Sequence, residues 1–481
     1  MSRSKLRAIF EAGFEAVFAF VSGQDKIISK QSKEILSLKK RIKALEDRLG
    51  QNSTNSSRPP SSDWPKKRKS LRGKSDKAPG GQIGHKGYNL KMVEDPDHTK
   101  VHKIYTCSSC GRSLENIPAA GYRRRQVFEL PPIKIEVTEH RAEEKTCPHC
   151  GTNNQAPFPE GVTQPSQYGP RIKAIATYLN VYQLLPYERA SELFYDLFGI
   201  GLSTATLVNA NRTAFEALKP SEEAIKDKII SSPVVHFDET GLYTEGKRWW
   251  LHVASTDNLT YYAPHPKRGK EATEDIDILP HFYGVAVHDG WATYFKYGCS
   301  HALCNAHHLR ELQGVEDFYN QKWATDMALL LVKIKEAVDK ESEVSDRLDK
   351  ESLDSFKDRY DKIISKGLAQ NPPAREGLKK RGRPKRSKAE NLLYHLKDYW
   401  EETLAFMYDF EIPFDNSLAE RDIRMMKVQQ KISGTFRSSD GAKIFCRIRG
   451  YISTARKNSL SVIDAIQAAF EGNPFMVSAE S

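Results

Sequence analysis

The chain has 481 residues, of which 28% are charged, and a formal net charge of +11. A single core rarely grows beyond about 250–300 residues, so this length argues against a one-domain protein and predicts several domains. The positive charge favours an anionic partner, with nucleic acid as the first candidate. We expect no targeting or membrane segment at the start, because Glu11 and Glu15 interrupt a short apolar run.

Residues 1–50 are predicted to form an N-terminal amphipathic helix followed by a coiled coil. Within 27–49, apolar residues fall on a heptad repeat with Lys and Glu between them. This spacing predicts a self-association helix and a homodimer, although a helix packed on its own domain would show a similar pattern. The apolar positions are Ile28, Ile35, Leu38, Ile42, Leu45 and Leu49.

Residues 51–100 are rich in Ser, Asn, Pro, Gly and Lys and contain few apolar side chains. Such a segment cannot bury enough surface to fold alone, so we predict a linker or an arm that a polyanion orders. One concentrated basic run in it is a candidate DNA contact and comprises Lys66, Lys67, Arg68 and Lys69.

Residues 101–160 contain two Cys-x-x-Cys-Gly motifs. Without an export signal, paired motifs of this kind indicate metal binding rather than disulfides. Four thiolates match the tetrahedral preference of Zn²⁺, and the strand-like patches in RQVFELPPIKIEVTEHRA complete the pattern of a zinc ribbon. Whether the zinc only folds this module or also serves DNA contact is open. The expected zinc ligands are Cys107, Cys110, Cys147 and Cys150.

Residues 165–228 show helical periodicity. A short turn containing Gly201 separates two helices, and Ser203 is a candidate N-cap for the second. The pattern predicts a helix-turn-helix-like DNA-binding region, and it fits an ordinary helical hairpin equally well.

Residues 229–300 are predicted to form the first part of an α/β core with a mixed sheet. Its strands are expected in PVVHFDE, RWWLHVAST, LTYYAPH and YGVAVHDG, with a helix before the last. Asp238 is expected at the end of the first strand and Asp289 at the end of the last. A carboxylate there is costly unless it meets a cation, so the two together predict convergence on a pair of divalent ions.

A third carboxylate on a helix would complete such a site, and Glu420 in FDNSLAERDIRMMK is the candidate. Two Mg²⁺ or Mn²⁺ ions can activate a water or a 3′-hydroxyl and stabilise the leaving oxygen of a phosphodiester displacement. Arg421, Arg424 and Lys427 could hold phosphate oxygens. Taken alone, the same stretch fits a surface helix with a Ser417–Glu420 capping box and a Glu420–Arg424 ion pair.

Residues 301–410 are predicted to be a helical insertion, residues 411–470 the last part of the core, and residues 471–481 a tail. The insertion contains KRGRPKR, whose Arg-Gly-Arg-Pro core is typical of an AT-hook that inserts arginines into a narrow A·T minor groove. A loop that binds phosphates without base preference is the favoured alternative. The candidate contacts are Arg381, Arg383, Lys385 and Arg386.

Two further patterns have more than one interpretation. On a helix starting near residue 301, Cys304 and His308 would share a face, and we expect Cys304-x-x-His307 to pack rather than to bind metal or support catalysis. In the C-terminal helical region, six basic residues predict either a DNA-facing flank or a solvated face: Arg437, Lys443, Arg447, Arg449, Arg456 and Lys457.

The motifs HFDET, VHDGW, CNAHHLREL and NSLAERDIR occur in this order behind the cysteine motifs and NSSRPPSSD…GGQIGHKG. This set resembles the DDE transposases of the insertion sequence sixty-six family, from about residue 28 to about residue 455. The resemblance implies an RNase H-like core with Asp238, Asp289 and Glu420 as metal-binding triad, and cleavage at element ends followed by strand transfer into target DNA. Asp415–Asn416 departs from the family, which more often has two asparagines.

The partners expected on this basis are element-end and target DNA, a second copy of the chain and accessory proteins of the same element. The expected location is the bacterial cytoplasm, at the nucleoid and away from the membrane. Two rival functions remain. A non-catalytic zinc-ribbon DNA-binding regulator would leave the three acids unexplained, and a nuclease on the same core would hydrolyse DNA without joining strands.

The AT-hook interpretation makes a prediction about Arg383. Arg383→Ala should weaken binding to A·T-rich DNA more than binding to G·C-rich DNA, because an inserted arginine senses the narrow minor groove. Titration of both duplexes at one salt concentration measures the two losses. Equal losses would show a basic loop without base preference.

Overall fold

The computed structural model describes residues 3–52, 54–56, 90–131, 133–372 and 386–477. It divides into two compact units. The first takes its residues from 1–69, 164–194 and 201–481, and the second from 70–163 and 195–200. Within the described ranges, no helix combines the length and the apolar character that a membrane span requires.

The first unit begins with two helices, α1 (Arg3–Glu11) and α2 (Phe14–Gly50). Gly13 between them has a φ of +96°, which favours glycine. The predicted helix over 27–49 is therefore present within α2. Its six apolar heptad residues are each at least half exposed, so they do not form a core with their own domain. The pairing of this exposed seam with a second helix stays a prediction.

The second unit contains little regular structure. Strands β1 (Glu144–Thr146) and β2 (Asn153–Gln155) pair in antiparallel fashion around the second cysteine motif. An isolated bridge between Thr106 and Ser113 flanks the first motif in the same way.

The strands predicted in RQVFELPPIKIEVTEHRA are not found in the described part of that segment. Val127 and Val137 are almost fully exposed. A β-branched residue favours a strand by packing on neighbouring strands, and these two residues lack such neighbours. The prediction of strands here is wrong.

Four helices and one π-helical turn lead to the sheet of the first unit. Ser203 is the N-cap of the third of these helices, and its Oγ accepts a hydrogen bond from the Thr206 backbone N–H at 3.1 Å, as predicted. The elements are α3 (Pro170–Thr177), the π turn (Tyr178–Tyr182), α4 (Tyr187–Phe198), α5 (Thr204–Ala217) and α6 (Lys219–Ile230).

A five-stranded mixed sheet lies at the centre of the first unit, which confirms the predicted mixed α/β core. Its strands are β3 (Val234–Thr244), β4 (Lys247–Ser255), β5 (Thr260–His265), β6 (Val285–His288) and β7 (Ser300–Leu303). They lie in the order β5-β4-β3-β6-β7. The pairs β3–β4 and β4–β5 are antiparallel, whereas β3–β6 and β6–β7 are parallel. Helix α7 (Lys270–Ile276) precedes β6, as predicted.

Two details of the sheet differ from the prediction. Strand β7 occupies a range assigned to helix, because a run of four residues is too short to show the period of a strand. Asp238 does not end its strand, since β3 continues to Thr244 while paired with β4. The turn between these strands contains Glu245 and Gly246, both with positive φ, as in a tight hairpin.

The predicted helical insertion follows β7 and has a hydrophobic core of its own around Trp323 and Tyr360. Its helices are α8 (Asn305–Tyr319), α9 (Lys322–Glu341), α10 (Lys350–Gln370), α11 (Lys388–Asp398) and α12 (Trp400–Tyr408). Three more helices complete the described chain: α13 (Ser417–Ser433), α14 (Ser439–Lys457) and α15 (Val462–Phe470).

Different helices cover the two faces of the sheet. On one face Phe237 belongs to a core with residues of α6, and on the other Leu242 belongs to a core with residues of α13 and α14. Side chains alternate along a strand. Asp238 therefore lies on the face covered by α13, and Glu239 lies on the opposite face.

Three of the six basic residues predicted to form one C-terminal surface are instead largely buried. Arg447 Nε donates to Glu222 Oε2 at 2.7 Å, and Arg449 donates to the Tyr182 carbonyl oxygen at 3.1 Å. Helix α14 contacts helices on one side and the sheet on another, so much of its circumference is covered. The predicted surface is wrong for Arg447, Arg449 and Lys457. Arg437, Lys443 and Arg456 are exposed.

Lys457 joins α14 to α13 through an ion pair. Its Nζ lies 2.7 Å from Asp422 Oδ2, and the two side chains are only 13% and 15% exposed. Asp422 Oδ2 also accepts a hydrogen bond from Ser255 Oγ of β4 at 2.7 Å. The pair thus ties two helices to the sheet.

Lys457→Met should destabilise the first unit, because it leaves the Asp422 carboxylate without its cation. We expect a loss of about 3 kcal/mol in the free energy of unfolding, measured by urea denaturation of the full chain. Lys443→Met, at an exposed position of the same helix, should change it by less than about 0.5 kcal/mol. Equal midpoints for the two variants would contradict a structural role for the ion pair.

Candidate active site

Asp238 and Asp289 lie next to each other in the sheet. Strands β3 and β6 are parallel neighbours, with His236 opposite Val287. Continuing this register by two residues puts Asp289, which directly follows β6, opposite Asp238. Asp238 lies on the face covered by α13, and Asp289 lies beside it, just past the end of β6. The sheet therefore brings two of the predicted acids together.

Asn416 fixes the start of α13 against the sheet. Its residue surface is 1% exposed, and its Nδ2 donates to the Phe237 carbonyl oxygen at 2.8 Å. Its Oδ1 lies 2.8 Å from His236 Nδ1, and its backbone N–H donates to Cys304 Sγ at 3.1 Å. Asp415, the aspartate at which the sequence departs from the family, directly precedes this anchor.

Glu420 lies one turn into α13, on the same helix face as Asn416. Its Oε1 is 3.4 Å from Arg310 Nη2 and 3.6 Å from His307 Nδ1, both on α8. All three side chains are partly buried. Glu420 is therefore held between two helices and faces the interior.

The surface-helix alternative for this stretch is wrong in both of its contacts. Asn416, not Ser417, is the N-cap, and it makes no side-chain capping bond because its amide is used by β3. The Ser417 hydroxyl donates to Asp415 instead. In the described chain, Glu420 pairs with Arg310 rather than with the exposed Arg424.

All three acids have raised pKa values, and Asp238 is affected by the charges of the other two. Burial raises the pKa of Asp238 well above its usual value, and the charges of Glu239, Asp289 and Glu420 raise it further. Burial and the Glu239 charge raise the pKa of Asp289. Burial raises the pKa of Glu420, against the opposing effect of Arg310. Acids that repel one another in this way are stabilised by a cation, so the donor set fits a divalent metal ion.

The second acid of the HFDET motif, Glu239, is already neutralised on the opposite face. Its side chain is 2% exposed, accepts a hydrogen bond from Arg268 Nε at 2.8 Å and another from the Tyr294 hydroxyl at 2.6 Å. The Arg268 guanidinium lies over the rings of Trp250 and Trp291, at 4.9 and 4.4 Å from their centroids. Glu239 thus has a complete set of partners.

The Cys304-x-x-His307 element lies beside Glu420. The expected sharing of a helix face between Cys304 and His308 is not what defines this site. Cys304 is the N-cap of α8, so the helix start predicted near residue 301 is wrong. His308 is buried, with its Nδ1 3.1 Å from Asn305 Oδ1. Ligand atoms of Cys304, His307 and Glu420 lie within 4.8 Å of one another, and no other such trio of Cys, His or acidic residues occurs in the described ranges.

The two cysteine motifs form the same turn. The Gly111 N–H donates to the Cys107 carbonyl oxygen at 3.0 Å, and the Gly151 N–H donates to that of Cys147 at 2.9 Å. Both glycines have a φ slightly above +70°, which other residues rarely adopt. Each motif therefore has the tight turn that directs two thiols to one side.

Local hydrogen bonds favour the thiolate form that zinc requires. The Cys110 backbone lowers the pKa of Cys107, and the Thr152 hydroxyl lowers that of Cys150. In the described part of the second unit, no three of the four sulfurs lie within 4.8 Å of one another. A Cys₄ site requires the two motifs to approach each other.

A cavity of about 720 Å³ lies beside Asp289, bordered by α8, by Lys388 of α11 and by residues just after α2. Among these, Asn55 is buried and its Nδ2 donates to Asp317 Oδ2 at 2.9 Å. Gly314 permits this contact, because a Cβ there would lie 2.3 Å from the Asn55 carbonyl oxygen. The first residues of the predicted linker are therefore packed against the insertion.

The predicted DNA-contacting residues fall into three groups. Four are exposed on or just after α13: Arg421, Arg424, Lys427 and Arg437. Arg386 stacks over the Tyr394 ring, 3.7 Å from its centroid. The remaining seven lie outside the described residues: Lys66, Lys67, Arg68, Lys69, Arg381, Arg383 and Lys385.

Sequence reasoning singled out Cys304 and His307, but it missed that they face Glu420, and it missed Arg310 altogether. Cys304, His307 and Arg310 are three residues apart in CNAHHLREL and so share one side of a helix start. This spacing was the available signal. It does not identify the acid they face, since Arg310 and Glu420 are 110 residues apart in the chain.

Known families and relatives match most of the chain. Residues 105–151 match the zinc-finger binding domain of transposase IS66, and residues 23–91 match a family of unknown function. The uncharacterized protein y4hP of Sinorhizobium fredii (strain NBRC 101917 / NGR234) is 26% identical over 395 residues, covering 74% of this chain and 68% of that protein. Residues 165–444, more than half of the chain, match the family described as Transposase IS66 family. The resemblance found in the sequence is confirmed, and this chain belongs to the transposase IS66 family.

Proposed function

We propose that this transposase binds DNA at the ends of its element and cuts and joins phosphodiester bonds, with Asp238, Asp289 and Glu420 as metal ligands. The observation that carries the proposal is that the elements bearing these three acids adjoin one another in the fold. Two come from neighbouring strands, and the third from a helix that Asn416 anchors to one of those strands. Their charges reach one another, as the raised pKa of Asp238 indicates.

The topology of the sheet supports an RNase H-like core. Strands β5, β4 and β3 pair in antiparallel fashion, and β6 and β7 follow in the sheet, parallel to β3. The strands β3 and β6, which are associated with Asp238 and Asp289, are adjacent. The five helices of the insertion come between the second and third acids in the chain, after which α13 returns to the sheet. This is the arrangement that the family resemblance implies.

The acid cluster is suited to Mg²⁺ or Mn²⁺, because both ions prefer oxygen ligands. Bound there, such ions would supply activation of a water or 3′-hydroxyl and stabilisation of the leaving oxygen. The chain's own contribution is to orient the carboxylates. Asn416 holds α13 in position, and Arg310 directs one oxygen of Glu420.

DNA binding is supported by charge and by space next to the acids. Arg421 and Arg424 are exposed cations on the helix that carries Glu420, and guanidinium groups bind phosphate oxygens well. The cavity beside Asp289 provides open space through which a DNA strand could reach the acids. The zinc-finger domain and the basic runs would add further contacts along the duplex.

Asp289→Asn should abolish strand cleavage without abolishing DNA binding. Loss of about 3 kcal/mol of transition-state stabilisation lowers the rate about 100-fold, and we expect at least that loss. The assay combines the protein, a DNA duplex with an element end and Mg²⁺, and quantifies cut and joined strands. Asp275→Asn, at an exposed acid on α7, is the matched control and should cut normally.

The same assay separates the rival functions. A DNA-binding regulator would bind the duplex without cutting it in any variant. A nuclease would cut without forming joined products. If Asp289→Asn cuts as fast as the unaltered chain, the assigned metal site is wrong.

We also propose that the chain forms a homodimer through α2. The seam of apolar heptad residues is exposed along the helix, and exposed seams of this kind pair with a second helix. A dimer would present two copies of the acid cluster to two element ends.

Ile35→Lys combined with Ile42→Lys should convert the dimer into a monomer, because both changes put charges into the apolar seam. Analytical ultracentrifugation of the full chain measures the outcome. Ser37→Lys, outside the heptad seam, is the control and should remain dimeric. A monomeric unaltered chain, or a dimer in the double variant, would contradict pairing through α2.

A further inference from the structure

The cluster of Cys304, His307 and Glu420 offers three kinds of donor atom within 4.8 Å of one another. Mg²⁺ prefers oxygen donors alone, whereas Zn²⁺ accepts thiolate sulfur, imidazole nitrogen and carboxylate oxygen together. The cluster lies between the start of α8 and the first turn of α13. Its chemistry therefore differs from that of the neighbouring acids.

Cys304 is positioned as a metal-bound thiolate would be. The residue is buried, and its sulfur accepts the Asn416 backbone N–H at 3.1 Å. Hydrogen bonds from groups behind a ligand orient it and tune its binding to a metal. The N-cap position of Cys304 also puts its sulfur near the positive end of α8, which partly offsets the burial that raises the pKa of the thiol to about 12.

His307 contributes a buried ring nitrogen to the cluster. Its Nδ1 is buried and has no hydrogen-bond partner among the described residues. Leaving such an atom unsatisfied is costly. The nearest acid oxygen, Glu420 Oε1, lies 3.6 Å away, beyond hydrogen-bond distance but close enough to share an ion with the imidazole.

The ligands of the cluster would themselves neutralise a divalent cation. A Cys304 thiolate and the Glu420 carboxylate would together carry two negative charges, and His307 would bind as the neutral imidazole. Arg310 Nη2 lies 3.4 Å from Glu420 Oε1, so a bound ion would share this carboxylate with the guanidinium.

We propose that Cys304, His307 and Glu420 bind Zn²⁺ at a site separate from the two cysteine motifs. Three protein ligands leave a fourth position for water or another group. A consequence that rests on the proposed function is that bound Zn²⁺ would occupy a carboxylate of the acid cluster. Excess Zn²⁺ should then inhibit cleavage in competition with Mg²⁺.

Co²⁺ is a suitable probe, because tetrahedral Co²⁺ with a thiolate ligand absorbs strongly and replaces Zn²⁺ at such sites. The full chain, with zinc in its cysteine motifs, is titrated with Co²⁺ and followed by absorbance. We expect binding of an additional equivalent with a sulfur-to-cobalt charge-transfer band. Cys304→Ser should remove this band, and His307→Gln should weaken Co²⁺ binding by at least about 10-fold.

Cys299→Ser is the matched control. Cys299 is another buried cysteine of the same unit but does not belong to the cluster, so the band should persist in this variant. Circular dichroism establishes that each variant is folded. Should Cys304→Ser fail to fold, the weaker binding expected for His307→Gln still tests the site.

The outcomes distinguish the zinc site from the proposed function. Absence of additional Co²⁺ in the unaltered chain, or persistence of the band in Cys304→Ser, overturns the zinc site. Asp289→Asn should retain the cobalt band while losing cleavage. Normal cleavage in Asp289→Asn would refute the proposed function and leave the zinc site intact.

Discussion

The hydrogen bonds of Asn416 connect three segments that are far apart in the chain. Its amide contacts β3 through Phe237 and His236, and its backbone N–H contacts Cys304, where β7 gives way to α8. The chain leaves the sheet at Cys304 and returns to it at Asn416 after five helices. Without this closure, Glu420 would have no defined position relative to Asp238, and both proposed metal sites depend on it.

Cys304 and Asn416 can be in contact although five helices lie between them in the chain, because these helices fold around a hydrophobic core of their own. It also contributes α8, whose first turns provide Cys304, His307 and Arg310. The acid cluster is costly to fold, since burial raises the pKa of its members and nearby acids raise the pKa of Asp238 and Asp289 further. Glu239, on the same strand as Asp238, differs from these acids because Arg268 neutralises its charge. Perturbed acids without a complete set of partners are typical of functional sites.

Local patterns predicted most of the secondary structure correctly. The strands from Val234 to His265, the helix before β6, the Ser203 cap and the helical insertion follow from hydrophobic period and turn residues. Strand β7 was missed because four residues carry no period. The strands within 125–142 were predicted from residue type, but no neighbouring strand stabilises them in the described part of that segment. Arg447 and Lys457 were expected on a surface because charge alone does not reveal which side of a helix is covered.

The sequence by itself determined the family, the heptad helix, the paired cysteine motifs and the three acids worth testing, because each of these depends on residue types at short spacing or on the order of motifs. Only the tertiary structure decided that Glu420 faces Arg310 and His307 instead of capping its helix. It also decided that Cys304 is grouped with Glu420 and His307, and not with His308. Such contacts join residues more than a hundred positions apart. They depend on sheet register and helix docking, which no local pattern encodes.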